Sequence, residues 1–223
     1  NPAGTRAYTG INNGSAAQVF DLIGGTLIAT TPLSNRSFGV AVSSTGDRAY
    51  VVQNQAGRVA IIDTTSNAYV NHINVPGQPI GVAVSPATDA VYTTTGSANS
   101  LAHYDRETGV VTTWPVGTAP YGVAVDPTGA RILVANSGSN TVSVLDATLH
   151  ATLATIPVGP LPRGLGNFIA PHTVPGPPRA LVAGPGNGRV SLRFDAPLYH
   201  GGRLVTGYTA TCMPGNVEAS GSA

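Results

Sequence analysis

The residue types that could carry chemistry are few in this chain, and they are scattered. Histidine, a common metal ligand and general base, occurs five times, at His72, His103, His150, His172 and His200. No pair of them stands in an HExxH motif or in another metal-ligand spacing. His103 lies in an apolar run, where a packed or edge histidine is favoured over a ligand, and the other four occupy strand, turn or linker positions. We therefore expect no metal site and no cofactor.

Motifs for a nucleophile or a phosphate group are not found either. The chain has no Gly-x-Ser-x-Gly elbow and no phosphate-binding glycine loop. The segment Gly184-Pro-Gly-Asn-Gly188 is rich in glycine, but it precedes a predicted strand rather than a helix, which favours a turn. The sequence predicts no catalytic residue, and an enzymatic function is the less favoured class.

One acidic residue recurs at a nearly fixed interval. An aspartate closes an apolar run every 41 or 42 residues, at Asp21, Asp63, Asp105 and Asp146. A carboxylate at such a position can accept backbone N–H hydrogen bonds in the turn that follows. We therefore predict that these four aspartates are structural turn residues.

A second marker keeps the same register and indicates the elements that hold these residues. The phrase Gly-Val-Ala-Val starts at Gly39, Gly81 and Gly122, and a degenerate copy starts at Gly164. Each full unit contains four short β-like runs, and the third run is largely apolar on both faces. Such a sheet must be covered on both sides by neighbouring sheets. The predicted fold class is therefore all-β, a β-propeller of which about four 42-residue, four-stranded blades are present.

Composition excludes several classes of partner. The chain has 223 residues, of which 9% are charged, and its net charge of +1 gives no electrostatic case for nucleic acid or an anionic membrane surface. No apolar stretch approaches the roughly 20 residues that span a bilayer. No signal peptide opens the chain, whose first residue falls inside a repeat.

The repeat units resemble those of the YVTN family of β-propellers. The resemblance is carried by Pro79-Ile-Gly-Val-Ala-Val-Ser-Pro86, by Pro120-Tyr-Gly-Val-Ala-Val-Asp-Pro127 and by the run from Ile132 to Asp146. It covers residues 1–171, which form the predicted propeller domain. Complete members have about seven blades, within the general range of about 4–8. Either N-terminal blades are missing, which we favour, or a small ring closes with the Gly164–Ile169 strand completing the first blade.

A different pattern follows the repeats. Residues 172–178 form a proline-rich linker, and residues 179–223 resemble the first half of a bacterial fibronectin type III domain, in which Phe194 lies on strand B and Tyr208 at the entry to strand C. A complete sandwich of this kind needs about 100 residues. Cys212, the single cysteine, is either a small buried hydrophobic residue or, as in some secreted relatives, half of a disulfide bond.

Ligand-contact candidates follow from the same resemblance, which implies that the Gly-Val-Ala-Val strand is innermost in each blade. The residues expected to rim the channel are Phe38, Ile80, Tyr121 and Arg163, together with Asn12, Asn54 and Asn136 in the second-turn loops. The alternative is that all seven are ordinary loop residues. The position shared by Ser43, Ser85 and Asp126 offers one carboxylate, too few for bound Ca²⁺.

Two functions remain open. We favour a non-catalytic binding or display scaffold of a secreted or cell-surface bacterial protein, whose partner is an unknown protein or cell-envelope ligand and whose fibronectin-like module is a spacer. The alternative is a propeller-based extracellular enzyme of the lactonase, lyase or dehydrogenase type, or an accessory region of a polysaccharide-degrading hydrolase.

Overall fold

The repeat units fold into antiparallel sheets that follow one another in chain order. The computed structural model describes residues 1–166, 169, 178–187, 189–196, 207–212 and 217–222. The chain divides into two compact units, Asn1–Ile169 and Ala170–Ala223. The strands of the first unit are β1 (Arg6–Ile11), β2 (Ala16–Asp21), β3 (Thr26–Pro32), β4 (Ser37–Val42), β5 (Arg48–Gln53), β6 (Arg58–Asp63), β7 (Tyr69–Asn74), β8 (Pro79–Val84), β9 (Val91–Thr95), β10 (Ser100–Tyr104), β11 (Val111–Pro115), β12 (Pro120–Val125), β13 (Arg131–Asn136), β14 (Thr141–Asp146) and β15 (Thr152–Pro157).

These strands form four meandering sheets, which we call blades. Blade 1 contains β1–β3, blade 2 contains β4–β7, blade 3 contains β8–β11 and blade 4 contains β12–β15, and each strand pairs antiparallel with the next in its blade. The innermost strands β4, β8 and β12 carry the Gly-Val-Ala-Val phrase and lie side by side. The predicted all-β, propeller-type fold is therefore confirmed.

The two ends of the blades carry different turns. Because the strands are antiparallel, the turns that follow the first and third strands of a full blade lie at one end, which we call the aspartate end. The turn after the second strand and the connection to the next blade lie at the other end, which we call the asparagine end. The repeated aspartates and the predicted channel-rim residues are therefore at opposite ends.

The apolar cores lie between blades. The layer between blades 2 and 3 joins Tyr50, Val52 and Val59 of blade 2 to Val82 and Val91 of blade 3. Matching layers join blades 1 and 2 and blades 3 and 4. Val59 is 0% exposed, and burying a side chain of this kind contributes about 1.5–3 kcal/mol. The third strand is apolar on both faces because a blade that lies between two others is covered on both sides.

The repeated glycine reflects a close approach of backbones. A Cβ atom added to Gly39 would lie 2.8 Å from the carbonyl oxygen of Ile80, and one added to Gly81 would lie 2.6 Å from that of Tyr121. A Cβ on Gly122 would overlap the carbonyl oxygen of Gly164. Gly39 and Gly81 therefore each approach the innermost strand of the next blade, and Gly122 approaches the segment that follows blade 4. Glycine is required there because a side chain would push adjacent blades apart.

In blades 1 to 3 one face is covered by the next blade, whereas in blade 4 the same face is exposed. One position of the outermost strand is 3%, 4% and 7% exposed in blades 1, 2 and 3 but 47% exposed in blade 4. The residues at that position are Thr31, Ile73, Trp114 and Ile156. Within the described residues β1 pairs only with β2, so no closed ring is seen there. Asn167 and Phe168 of the Gly164–Ile169 strand proposed to close a small ring lie outside the described residues, and the four residues of it that are described form no strand.

The described residues of the second unit form two hairpins. β16 (Arg179–Gly186) pairs antiparallel with β17 (Arg189–Asp195), and β18 (Gly207–Cys212) pairs with β19 (Val217–Ser222). The rings of Phe194 and Tyr208 meet edge to face, with centroids 4.6 Å apart.

Some predictions for this part of the chain concern residues outside the described set. The side chain of Cys212, residues 172–177 of the linker, His172 and His200 all lie outside it. Among the residues that are described, no helix is long and apolar enough to cross a membrane.

Candidate ligand-binding site

The repeated carboxylate builds the same turn in each blade. Asp63 Oδ1 accepts hydrogen bonds from the backbone N–H groups of Thr65 and Ser66, at 3.0 and 2.9 Å. The other three aspartates of the set accept the equivalent pair of hydrogen bonds. The bonds from Ser66 hold the pKa of Asp63 below its ordinary value, because they stabilise the charged carboxylate. These carboxylates organise the aspartate end of the blades.

The fifth residue of this turn has a left-handed backbone in every blade. Its φ is 63° at Gly25, 57° at Asn67, 73° at Gly109 and 58° at His150. Glycine adopts this region freely and asparagine tolerates it. Blade 4 departs from the other three because its residue at this position carries an imidazole ring.

This left-handed residue contacts the outermost strand of the preceding blade. At the junction of blades 1 and 2, the Thr31 hydroxyl donates a hydrogen bond to the Asn67 carbonyl oxygen at 2.5 Å. At the junction of blades 3 and 4, the Trp114 and His150 rings stack, with centroids 4.2 Å apart and planes inclined by 23°. Equivalent backbone positions are therefore joined by a hydrogen bond in one case and by an aromatic stack in the other.

Two further rings extend the stack into an aromatic cluster. Between ring centroids, His103 lies 5.3 Å from Trp114 and 5.6 Å from His150, and Tyr92 lies 5.1 Å from His103. Burial, and then the neighbouring His150, lower the pKa of His103 below its ordinary value. Burial also raises the pKa of Tyr92 to about 12. His103 and Tyr92 are therefore uncharged at neutral pH.

An arginine from blade 3 supplies a charged group to the same region. Arg106 donates to Asp47 of blade 2 at 2.5 Å and to Asp89 of blade 3 at 3.1 Å. The arginine holds the pKa of Asp47 well below its usual range. Asp89 also accepts a 2.7 Å hydrogen bond from the backbone N–H of Ser44 in blade 2. Charge-assisted hydrogen bonds thus fix blades 2 and 3 to each other at the aspartate end.

The aromatic cluster and the arginine border one cleft. It has a volume of about 730 Å³ and runs along the aspartate end of blade 3, with blade 2 on one side and blade 4 on the other. Its lining includes Tyr92, His103, Arg106, Glu107 and His150. Among the described residues, no group of three or more His, Cys, Asp or Glu side chains is placed to hold a metal ion. A cleft of this size accommodates a small molecule or a segment of a polymer.

The seven predicted rim residues lie at the asparagine end, and none of them lines the cleft. Phe38, Ile80 and Tyr121 hold the same half-buried position beside the strand glycine. The guanidinium carbon of Arg163 lies 5.1 Å from the centroid of the Tyr121 ring, in a cation–π contact.

Two of the three predicted asparagines use their side chains in contacts within the protein. The Asn54 amide donates to the Pro79 carbonyl oxygen at 2.8 Å. Asn136, the last residue of β13, is fully buried and donates to the Ser143 hydroxyl at 2.8 Å. The Asn12 side chain is exposed. The Asn54 amide therefore links blade 2 to the first strand of blade 3, and the Asn136 amide links β13 to β14 within blade 4.

Sequence reasoning missed the residues of the cleft, although a signal for them exists. Arg106, His103 and His150 differ in type from the residues at the same positions of the other blades. Those residues are Leu22, Thr64 and Ala147 for Arg106, Val19, Ile61 and Val144 for His103, and Gly25, Asn67 and Gly109 for His150. Several departures from a repeat that gather around one blade would have indicated a site.

Comparison with known proteins shows the fold. No protein-family model matches the chain, and no curated protein matches it. The structure is similar to β-propeller-like solved structures. Kuenenia stuttgartiensis hydrazine synthase matches with a TM-score of 0.66 and 17% sequence identity, over 70% of this chain and 47% of that one. A functionally unknown protein from Desulfotomaculum acetoxidans DSM 771 matches with a TM-score of 0.63 and 17% identity, over 71% and 54%. The chain thus spans about half the length of these structures, and the likeness is one of fold.

Proposed function

We propose that this chain is the ligand-binding propeller of a secreted or cell-surface bacterial protein, built from YVTN-type repeats, and that the cleft beside blade 3 is its binding site. The observation that carries the proposal is where the residues that depart from the repeat are located. His103, Arg106 and His150 line the cleft, Trp114 lies directly behind it, and all four depart from the repeat. Departures without a common role would be spread over the four blades.

The fold does not require these residues, because another junction forms without them. Thr31 and Asn67 join blades 1 and 2 through the same backbone positions that Trp114 and His150 occupy between blades 3 and 4. A side chain other than glycine in the left-handed region costs about 1–3 kcal/mol. A histidine that replaces glycine or asparagine there is therefore explained better by binding than by folding.

The groups at the cleft suit recognition. Arg106 is held by two carboxylates, so its guanidinium is already ordered before a ligand arrives. Pre-ordered side chains improve affinity because little further freedom is lost on binding. The neighbouring rings offer flat apolar surface with polar edges. A polar ligand with a flat or aromatic part, such as a fragment of a cell-envelope component, matches this combination.

The second unit supports the extracellular part of the proposal. Its two described hairpins and the Phe194–Tyr208 contact are compatible with a fibronectin type III-like module acting as a spacer. The YVTN and fibronectin assignments and the extracellular location rest on the sequence resemblance.

The alternative is an extracellular enzyme of the lactonase, lyase or dehydrogenase type, or an accessory region of a polysaccharide-degrading hydrolase. One observation favours catalysis. His103 is a neutral imidazole at the wall of the cleft, with a lowered pKa, and a group of this kind can act as a general base.

A retention assay tests the proposal. The immobilised chain should retain a component of solubilised bacterial cell-envelope fractions. His150→Asn should weaken that retention by about tenfold, the effect of losing about 1.4 kcal/mol of contacts. His72→Asn is the matched control, because His72 stacks on Tyr69 in blade 2 and does not line the cleft.

The outcomes separate the two functions. A wild-type chain that retains nothing, or equal retention by wild type and His150→Asn, would contradict the binding proposal. Turnover of a small substrate that is abolished by His103→Val would favour the enzymatic alternative.

A further inference from the structure

Two histidine rings from neighbouring blades meet at the wall of the cleft. His103 lies on β10 of blade 3 and His150 in the aspartate turn of blade 4, and their ring centroids are 5.6 Å apart. Nδ1 of His103 lies 3.3 Å from the Thr112 hydroxyl, which leaves its Nε2 without a partner among the described residues. Within the same residues, neither ring nitrogen of His150 has a hydrogen-bond partner. Lone pairs that could ligate a metal ion are therefore available on both rings.

The separation of the rings fits coordination of one ion. A metal–nitrogen bond of about 2 Å places each ring centroid about 3 Å from the ion, and a tetrahedral angle then separates the two centroids by about 5 Å. The observed distance is 5.6 Å, with the ring planes inclined by 46°. The separation of the rings therefore matches coordination of a shared ion through one nitrogen of each ring.

The charges around the rings also favour a cation. Asp105 and Glu107 line the same cleft. The charge of Arg106 is offset by its two carboxylate partners, Asp47 and Asp89. Negative charge near the rings lowers the energy of a divalent ion at that place.

We propose that His103 and His150 bind one transition-metal ion, Cu²⁺, Ni²⁺ or Zn²⁺, whose remaining coordination positions open into the cleft. Imidazole nitrogen suits these ions. No third ligating side chain is in place among the described residues. Water, or a nitrogen or oxygen atom of a bound ligand, completes the coordination. The inference rests on the proposed function, because it identifies a group through which the cleft holds its ligand.

The chain contains its own reporter for this site. Trp114 is the only tryptophan, and its ring lies 4.2 Å from that of His150. Paramagnetic Cu²⁺ bound to His150 would quench the fluorescence of Trp114. Titration of the full chain with Cu²⁺ near neutral pH should give quenching that saturates at one equivalent. Zn²⁺ does not quench. It should displace Cu²⁺ only when it is present in excess, because such sites prefer Cu²⁺.

Variants that restore the residues of other blades provide the decisive comparison. His150→Asn and His103→Val should each weaken Cu²⁺ binding by more than about tenfold, since even an outer-shell partner of a metal site contributes that much. His72→Asn should leave the titration unchanged, and circular dichroism of all three variants checks that the sheets are retained. Quenching that never saturates, or saturable quenching that survives both cleft substitutions, would overturn the proposal.

Failure of this inference differs from failure of the proposed function. If envelope retention depends on His150 but Cu²⁺ does not quench Trp114, the metal site is wrong and the binding function stands. If saturable quenching depends on both histidines but nothing is retained from the envelope, the metal site stands and the binding function is wrong.

Discussion

The junction between blades 1 and 2 and the junction between blades 3 and 4 share a backbone but not their side chains. Asn67 and His150 have nearly the same φ, 57° and 58°. In the first junction the Asn67 carbonyl accepts a hydrogen bond from Thr31, and in the second the His150 ring stacks on Trp114. The difference teaches that the repeat specifies how blades stack, whereas residues that depart from the repeat specify what a junction does.

The largest effect is expected where a junction buries apolar side chains. Ile73→Ala should lower the free energy of unfolding by about 2–5 kcal/mol, because Ile73 is 4% exposed between blades 2 and 3 and its loss leaves a cavity. Ile156 has the same position in blade 4 but is 47% exposed. Ile156→Ala should therefore change the free energy by no more than about 0.5 kcal/mol. Denaturant unfolding followed by circular dichroism measures the free energy of unfolding of both variants. If both lose the same amount, then the covering of one blade by the next does not stabilise the fold.

A smaller effect is expected at the glycines that let the innermost strands approach. Gly81→Ala would place a Cβ atom 2.6 Å from the Tyr121 carbonyl oxygen. The strands must separate to admit it, at a cost of about 1–3 kcal/mol. Gly159→Ala is the control, because a Cβ atom there meets nothing within 4 Å. Thermal or denaturant unfolding that ranks the two variants equally would rule out close backbone packing as the reason for the repeated glycine.

The stability that the Arg106–Asp47 ion pair contributes between blades 2 and 3 should depend on pH. Arg106 lowers the pKa of Asp47, so the ion pair stabilises the fold at pH values above the ordinary carboxyl pKa of about 3.9 and the contribution is lost as the pH falls below that value. The side chain of Asp47 is 40% exposed, which makes the effect modest and sensitive to salt. Asp47→Asn should therefore lose less stability than the wild type between neutral pH and about pH 3 in low salt. If the free energy of unfolding falls equally with pH in the two proteins, the ion pair contributes nothing to stability.

Sequence alone predicted the blades but not the cleft, for a physical reason. The repeated aspartate builds a turn in every blade, and the Gly-Val-Ala-Val phrase is constrained in each full blade by a backbone contact such as the Gly39–Ile80 approach, so both recur visibly. The cleft depends on His103 and His150, which belong to different blades and meet only when those blades are stacked. Spacing rules for metal ligands along one chain segment do not detect such a pair. Asn136, predicted to lie in a turn, is instead the last residue of β13 and donates a hydrogen bond to Ser143 of the same blade.

A single substitution separates folding from binding at the junction of blades 3 and 4. His150→Asn gives blade 4 the turn residue of blade 2. We predict that the free energy of unfolding changes by less than about 1 kcal/mol, since loss of a ring contact worth about 0.5–1.5 kcal/mol is offset by a residue that tolerates the left-handed backbone. Retention of the envelope component should fall at the same time. A loss of more than about 2 kcal/mol of stability with retention unchanged would show that the aromatic cluster is a packing core, and would contradict a binding site at this cleft.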